Sequence, residues 1–255
     1  MTLSVCIITL NEEANIARTL KSVREIADEI IVVDSGSTDS TVAVARQHGA
    51  KVFVEPWKGF ALQKNSALAK ASCDWILSLD ADEEVSPELA ASVRALLKSG
   101  PAPQFPGYTM NRRNMYLKRW LKRSGYYPDP KLRLIQRGAA AFELRAVHED
   151  MKMQGVLGHL DGDLIHHAYP TLKSFIEHAN RYSSLGARME AEKGPVSFSI
   201  INIVVRPLVR FLYSYFFRLG FLDGREGLLV LMTHASYVSW KYAKAWEMSN
   251  KRFGN

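Results

Sequence analysis

Residues 3–10, LSVCIITL, form a nearly unbroken apolar run rich in β-branched side chains, the pattern of a strand buried on both faces. Working outward, Ile16, Leu20 and Val23 space residues 13–24 as a helix, and a second strand follows at 29–33 (EIIVV). The spacing then predicts a helix over 38–48, a third strand at 51–55 (KVFVE) and a helix over 60–70. Residues 74–79 (DWILSL) read as the fourth strand, and 87–98 as a helix with proline in its first turn. Strands separated by short helices require right-handed βαβ crossovers. The expected fold class is therefore α/β, a mostly parallel sheet flanked by helices. Ligands of such sheets bind beyond the carboxyl ends of the strands, so the chemistry is sought there.

The chain has 255 residues, 47% of them hydrophobic and 23% charged, which excludes wholesale disorder and supplies a full core. Its 33 Lys and Arg exceed its 26 Asp and Glu, so an anionic partner or a membrane surface is expected. Cys6 and Cys73 are expected as buried free thiols in a reducing compartment. Met1-Thr2-Leu3 leads into the first strand with no basic segment or small-residue cleavage site, so no secretory signal is expected. No uncharged apolar run reaches the ~18 residues of a membrane-crossing helix. The expected location is the cytoplasm, with peripheral contact to a membrane.

The pattern changes after Gly100, where Pro101, Pro103 and Pro106 mark a break. Residues 110–140 carry nine Lys or Arg against the single acid Asp129. Within this stretch Arg112, Arg113, Lys118, Arg119, Lys122 and Arg123 alternate with Met115, Tyr116, Leu117, Trp120 and Leu121. It reads either as a helix with a solvated basic face or as a docking surface for a phosphorylated acceptor or anionic lipid. No helix-turn-helix, zinc or RNA-recognition motif is recognised, so nucleic acid is not an expected partner. A polar helix over 171–193 should end at Gly194-Pro195.

Residues 198–222 are intensely apolar. On a helix Ser199, Asn202, Arg206, Arg210, Ser214 and Arg218 fall within a sector of about 160°, and apolar residues fill the rest. Pro207 should kink or split this segment. Two readings stay open: a helix packed on the rest of the chain, and an interfacial helix lying in a leaflet. A second helix is expected near 226–249. The expected division is 1–193 as the catalytic domain, with halves near 1–100 and 101–193, and 194–255 as a helical appendage.

Three strands end in carboxylates or amides: Thr9-Leu10-Asn11-Glu12, Asp34-Ser35-Gly36-Ser37-Thr38-Asp39, and Asp80-Ala81-Asp82 with Glu83 and Glu84 behind. That much negative charge along one sheet edge calls for a cation, and hard oxygen ligands favour Mg²⁺ or Mn²⁺. Such ions complete their shells with phosphate oxygens, which makes a nucleoside diphosphate the natural co-ligand. Ser37-Thr38 and Asp39 also suit a turn and a helix cap.

Together with the helical Gln63-Lys64-Asn65, these strand ends resemble the family 2 glycosyltransferases of GT-A fold over about residues 3–98. Asp129-Pro130-Lys131-Leu132-Arg133-Leu134 and Val147-His148-Glu149 are similar to the branch containing the bacterial lipopolysaccharide inner-core β-1,4-glucosyltransferases. The resemblance implies that Thr9, Asn11, Glu12 and Asp34 surround the nucleotide base. It places Asp39 at the family's second acidic position, where a capping role is an equal reading, and Lys64 near the ribose and diphosphate. Asp80 would touch ribose or metal, Asp82 would be the principal metal ligand, and Arg133 joins the nucleotide-sugar set. Many relatives have Tyr-Asn where this chain has Leu10-Asn11.

Sugar transfer builds oxocarbenium character at the anomeric carbon and negative charge on the departing diphosphate. A divalent ion and Lys or Arg answer that charge, and an inverting enzyme needs a base for the acceptor hydroxyl. Glu149 is the expected base and Asp150 the second choice. His148 is expected at the acceptor or diphosphate, and His166, or its neighbour His167, in the metal shell. The implied activity moves a sugar, glucose first, from a UDP-sugar to a lipid-linked saccharide in lipopolysaccharide core synthesis. A polyprenyl-phosphate sugar transferase is the alternative within the class, and a non-catalytic protein binding membranes or anionic surfaces the alternative outside it. A nucleotidyltransferase or a dinucleotide-dependent dehydrogenase should carry a glycine-rich loop after its first strand, and Thr9-Leu10-Asn11-Glu12 has none.

Overall fold

The computed structural model describes residues 1–98, 103–143 and 151–250. The first apolar run forms β1 (Leu3–Thr9), followed by α1 (Ile16–Val23), β2 (Glu29–Asp34), α2 (Thr41–Gln47), β3 (Lys51–Val54), α3 (Phe60–Ala69) and β4 (Trp75–Asp80). Alternation along β1 feeds two cores. Leu3, Val5 and Ile7 pack with Ile16, Leu20 and Val23 of α1, whereas Cys6 joins Ala61, Ala67 and Leu68 of α3 on the opposite face. Burial pushes the Cys6 thiol up to about 12, so it is an inert core group. Cys6 and Cys73 are both free thiols, Cys6 buried and Cys73 partly so.

The chain continues with β5 (Glu83–Val85), α4 (Pro87–Lys98), β6 (Gly107–Tyr116), β7 (Arg119–Trp120), β8 (Pro130–Gln136), β9 (Ala140–Phe142), β10 (Met151–Met153) and β11 (Gly158–Tyr169). The helices α5 (Leu172–Ala191), α6 (Arg206–Leu212) and α7 (Gly224–Ser249) complete it. The main sheet runs β3-β2-β1-β4-β8-β6-β11-β5, with β7 paired to β6 and a separate β9–β10 pair. The first four strands are parallel. Beyond β4 the added strands are antiparallel, β8 on β4, β6 on β8 and β5 on β11. The architecture is thus a mixed sheet flanked by helices, with helices at the C-terminus. Gly162 sits at φ +98° where a Cβ would collide with the Leu89 backbone, so only glycine lets β11 pass the start of α4.

The chain divides into two compact units: residues 1–113 with 129–166, and residues 114–128 with 167 onward. Helix α5 groups with the C-terminal helices and packs on α7. Its N-terminus is closed by a capping box between Thr171 and Ser174.

The basic stretch is a strand and hairpin rather than a helix. Arg112 and Arg113 lie on β6 and Arg119 on β7, joined by the two-residue turn Leu117-Lys118. Much of its charge is already matched. Arg112 pairs with Asp129 at 2.9 Å, Lys131 with Asp129 at 3.1 Å, Arg113 with Asp163, and Arg119 with Glu226 at 3.3 Å. Pro207 stands in the first turn of α6, and π-type turns at Ile201–Val205 and Tyr213–Phe217 flank that helix, so the expected kink or split takes the form of a change of helix type rather than an interruption. Among the described residues no helix is long and apolar enough to cross a membrane.

At the amino-terminal end of the sheet, buried Glu29 accepts from Ser4 Oγ at 2.7 Å, Lys51 Nζ at 2.7 Å and Ser72 N at 3.0 Å. Burial opposes its charge, but these donors win and hold the carboxyl down at about 2. The folded value lies below the unfolded one. The stabilisation is therefore complete above the ordinary glutamate range and is lost as pH falls toward about 2. Glu29→Gln should cost on the order of 2 kcal/mol at neutral pH and less in acid. Urea unfolding at neutral and acid pH checks this, and an equal cost at both would contradict it.

Candidate active site

The strand register brings the predicted ends level. Thr9 lies opposite Asp34 across β1–β2, and Ile8 opposite Asp80 across β1–β4. These are the carboxyl ends of parallel strands, the edge at which such sheets take ligands.

Asp34 is fully buried and its oxygens are spent locally. They accept from Thr9 Oγ1 at 2.8 Å, Gly36 N at 2.9 Å, Ser37 N at 2.8 Å and Ser37 Oγ. Asp34 thus clasps the loop after β2. Asn11, at φ +55°, ties the loop after β1 to it: its N–H donates to Ser37 Oγ at 2.8 Å and its Oδ1 accepts from Thr38 N at 2.9 Å. Asp39 accepts from Thr41 N at 3.0 Å and Glu13 N at 3.2 Å, which bonds it to the start of α2 while it stays partly accessible. These bonds depress its carboxyl below the ordinary range, the Thr41 hydroxyl contributing most.

Asp80 stands between two cations. Lys64 Nζ is 2.7 Å from Oδ1 and Arg133 Nη2 is 2.9 Å from Oδ2. Burial disfavours its charge, yet Lys64 and Arg133 hold it well below the usual carboxylate range. Arg133 also meets Glu83 at 2.7 Å, and Glu83 Oε2 accepts the Asp80 N–H at 3.0 Å. Glu83 is wholly buried, so this is an internal ion cluster whose carboxylates fix the Arg133 guanidinium. In the sequence Glu83 stands out only as one more acid behind Asp80-Ala81-Asp82, with no role of its own. A charge in so short a strand was its only local signal, and its partner lies far along the chain. The reading likewise quoted Asn65 without a role. Asn65 donates to Phe142 O at 2.9 Å and accepts Phe142 N at 2.8 Å, which fixes β9 beside α3, and the Phe142 ring lies under Lys64 at 5.1 Å.

Asp82 lies just beyond β4, with His166 Nε2 at 3.3 Å from its Oδ2. Burial raises its carboxyl, but the His166 contact outweighs this and the net shift is downward. Glu12 shows the opposite balance. Burial lifts its carboxyl, Asn15 opposes, and the negative charges of Asp82, Asp39 and Asp80 push it higher. The edge thus carries a surplus of negative field. Among the described residues, no three His, Cys, Asp or Glu side chains gather tightly enough to hold a metal unaided. Asp82 with His166, and Asp80 nearby, offer the one or two protein ligands that Mg²⁺ or Mn²⁺ takes when phosphate oxygens complete the shell, so the donor set fits. His148, Glu149 and Asp150 lie outside the described residues, between β9 and β10. Thr9, Asn11, Glu12, Asp34, Asp39, Lys64, Asp80, Asp82, Arg133 and His166 all belong to the first compact unit.

Comparisons with known proteins point to one family. The family described as Glycosyl transferase family 2 matches residues 4–151, more than half of the chain. An uncharacterised glycosyltransferase of Rickettsia typhi is 33% identical over 98% of this chain and 88% of its own length. The lipopolysaccharide core biosynthesis glycosyltransferase LpsC of Rhizobium meliloti is 32% identical over 96% of this chain and 92% of its own. A crystal structure of glucosyl-3-phosphoglycerate synthase from Mycobacterium tuberculosis, 29% identical, covers 44% of each chain with a TM-score of 0.38. With a family match across the strand ends and full-length relatives at this identity, the chain belongs to glycosyltransferase family 2, and its sheet is that of the GT-A fold.

Proposed function

We propose that the chain transfers a hexose, glucose first, from a UDP-sugar to a lipid-linked saccharide in lipopolysaccharide core synthesis. It does so with inversion and with Mg²⁺ or Mn²⁺ bound, in peripheral contact with the cytoplasmic face of a bacterial inner membrane. The observation that carries the reading is the level edge of Thr9, Asp34 and Asp80, with Asp82 just beyond and two buried cations behind. The likeness to LpsC supports the choice of acceptor class.

The residues divide the work by position. Asp34 and Asn11 hold the loops after β1 and β2 in one shape, so that Thr9, Glu12 and the loop backbone form a fixed wall for the base. Asp39 at the start of α2 extends that wall. Asp82 and His166 hold the divalent ion, with Asp80 beside them. When bound, that ion supplies positive charge against the leaving diphosphate. Lys64 and Arg133 add fixed positive charge from the protein side, held in place before the donor arrives, so little reorganisation is needed as charge develops. Glu149, with Asp150 second, takes the acceptor hydroxyl proton, and His148 meets the acceptor or the diphosphate.

Incubation with a panel of UDP-sugars, Mn²⁺ and core-saccharide acceptor, followed by product mass spectrometry, tests the reading. A single hexose added from one UDP-sugar is expected; no transfer from any donor on any acceptor overturns it. In the same assay Glu149→Gln should lower turnover at least ~100-fold with UDP affinity unchanged. Loss in Asp150→Asn alone moves the base to Asp150. Full activity in both variants removes the base from both residues, and transfer to a polyprenyl phosphate with none to the core saccharide assigns the chain to an acceptor already ionised.

A further inference from the structure

The second compact unit leaves the apolar side of an amphipathic segment uncovered. Along residues 200–217 the side chains packed inward include Pro207 and Ser214, both buried, and Arg206 donates to the Tyr242 hydroxyl of α7 at 2.6 Å. The outward side is apolar: Ile201, Val204, Leu208, Leu212 and Phe216 recur at helical spacing and are all exposed, and Phe217 is 80% exposed. Leu219, Phe221 and Leu222 continue this surface past the end of the helix. Contiguous exposed apolar area of this kind marks an interaction site rather than ordinary surface.

Cations ring one end of it. The hairpin and loop 117–125 are bound to this end by several bonds. Asp223 accepts the backbone N–H of Lys122 at 3.2 Å and of Arg123 at 2.9 Å, and Ser124 N donates to Arg218 O at 3.1 Å. Lys118, Lys122, Arg123, Arg218 and Arg225 are exposed. None of the five has a carboxylate partner among the described residues, whereas neighbouring Arg119 pairs with Glu226. The Asp223 carboxylate that could have neutralised Lys122 and Arg123 is turned inward onto their backbone and is buried. At the hairpin tip, Leu117 at φ +50° and Lys118 at φ +64° occupy positions where Asn-Gly is the usual choice. An apolar and a cationic side chain are displayed there despite the backbone cost.

We propose that this surface is a docking face for anionic bilayers: Phe216, Phe217, Phe221 and Leu222 enter the boundary between headgroups and acyl chains while Lys118, Lys122 and Arg123 meet lipid phosphates. Aromatic and aliphatic groups beside unpaired cations suit that boundary, where each basic residue adds attraction to anionic headgroups. A protein partner of this shape would be expected to answer apolar area with apolar area; a ring of unneutralised cations answers phosphate. The proposal deepens the membrane contact in the reading above and rests on that part of it alone.

The test is co-sedimentation of the full chain with phosphatidylcholine vesicles, with and without about 30% phosphatidylglycerol. Binding to the anionic vesicles is expected to be strong and to fall with added salt. The combined variant Lys118→Gln, Lys122→Gln, Arg123→Gln should lose on the order of 100-fold of it. Phe217→Ser with Phe221→Ser should abolish residual binding to both vesicle types; both side chains are solvent-facing, and circular dichroism verifies the fold. Unchanged anionic binding by the cation variant overturns the proposal, as does no binding by the parent chain. Light scattering that shows a dimer dissolved by the Phe variant also overturns it, and assigns the face to a second copy of the chain. UDP titration of the same variants separates this outcome from failure of the donor site, because none of these residues lies in the unit that carries it.

Discussion

Arg133 sits between Asp80 at 2.9 Å and Glu83 at 2.7 Å, with Lys64 on the far oxygen of Asp80. Two cations and two carboxylates in a buried cluster are costly to desolvate, and removal of one partner typically costs about 3–5 kcal/mol. The arrangement therefore fixes what it touches. It joins β4 to β5 and β8, and through Lys64 it fixes α3 against the end of β4. Asp80 is held ionised at the strand end, which leaves Asp82, in the turn between β4 and β5, as the acid facing His166. A site that must meet a diphosphate gains from cations whose places are set before the ligand comes, and these are set by buried countercharges.

The parallel half was legible because its signals are local. Runs such as LSVCIITL and EIIVV state both strand and burial, and the helices between them follow from spacing; observed boundaries for β1, β2 and β4 differ from the reading by a residue. The strand ends were legible for the same reason, since register in a parallel sheet brings Thr9, Asp34 and Asp80 level once the strands are known. What Asp34 does there was not legible. Three of its four donors, Gly36 N, Ser37 N and Ser37 Oγ, come from the turn after β2, so only coordinates reveal that the carboxylate is taken up by its own loop together with Thr9 of β1.

The antiparallel half was less legible because its charges are satisfied at long range. Arg113 meets Asp163 and Arg112 meets Asp129, so a stretch that reads as a dense basic patch is partly a set of internal ion pairs. Glu83 was visible as an acid behind Asp82, but its role exists only once β8 lies across β4. Pro207 and the apolar spacing of 198–222 announced a kinked or split amphipathic helix, and the segment instead runs on through changes of helix type. The sequence left two directions open for its apolar side, and the Arg206–Tyr242 contact and buried Ser214 turn that side outward.

The central claim is that the acidic edge becomes a nucleotide site through a divalent ion held at Asp82. Calorimetric titration of UDP, with and without Mn²⁺, on the parent chain and on Asp82→Asn tests it most directly. Binding in the parent that requires Mn²⁺, and a loss of at least ~100-fold in the variant, is the expected result. Equal UDP affinity in the two proteins, or binding indifferent to Mn²⁺, would contradict the account.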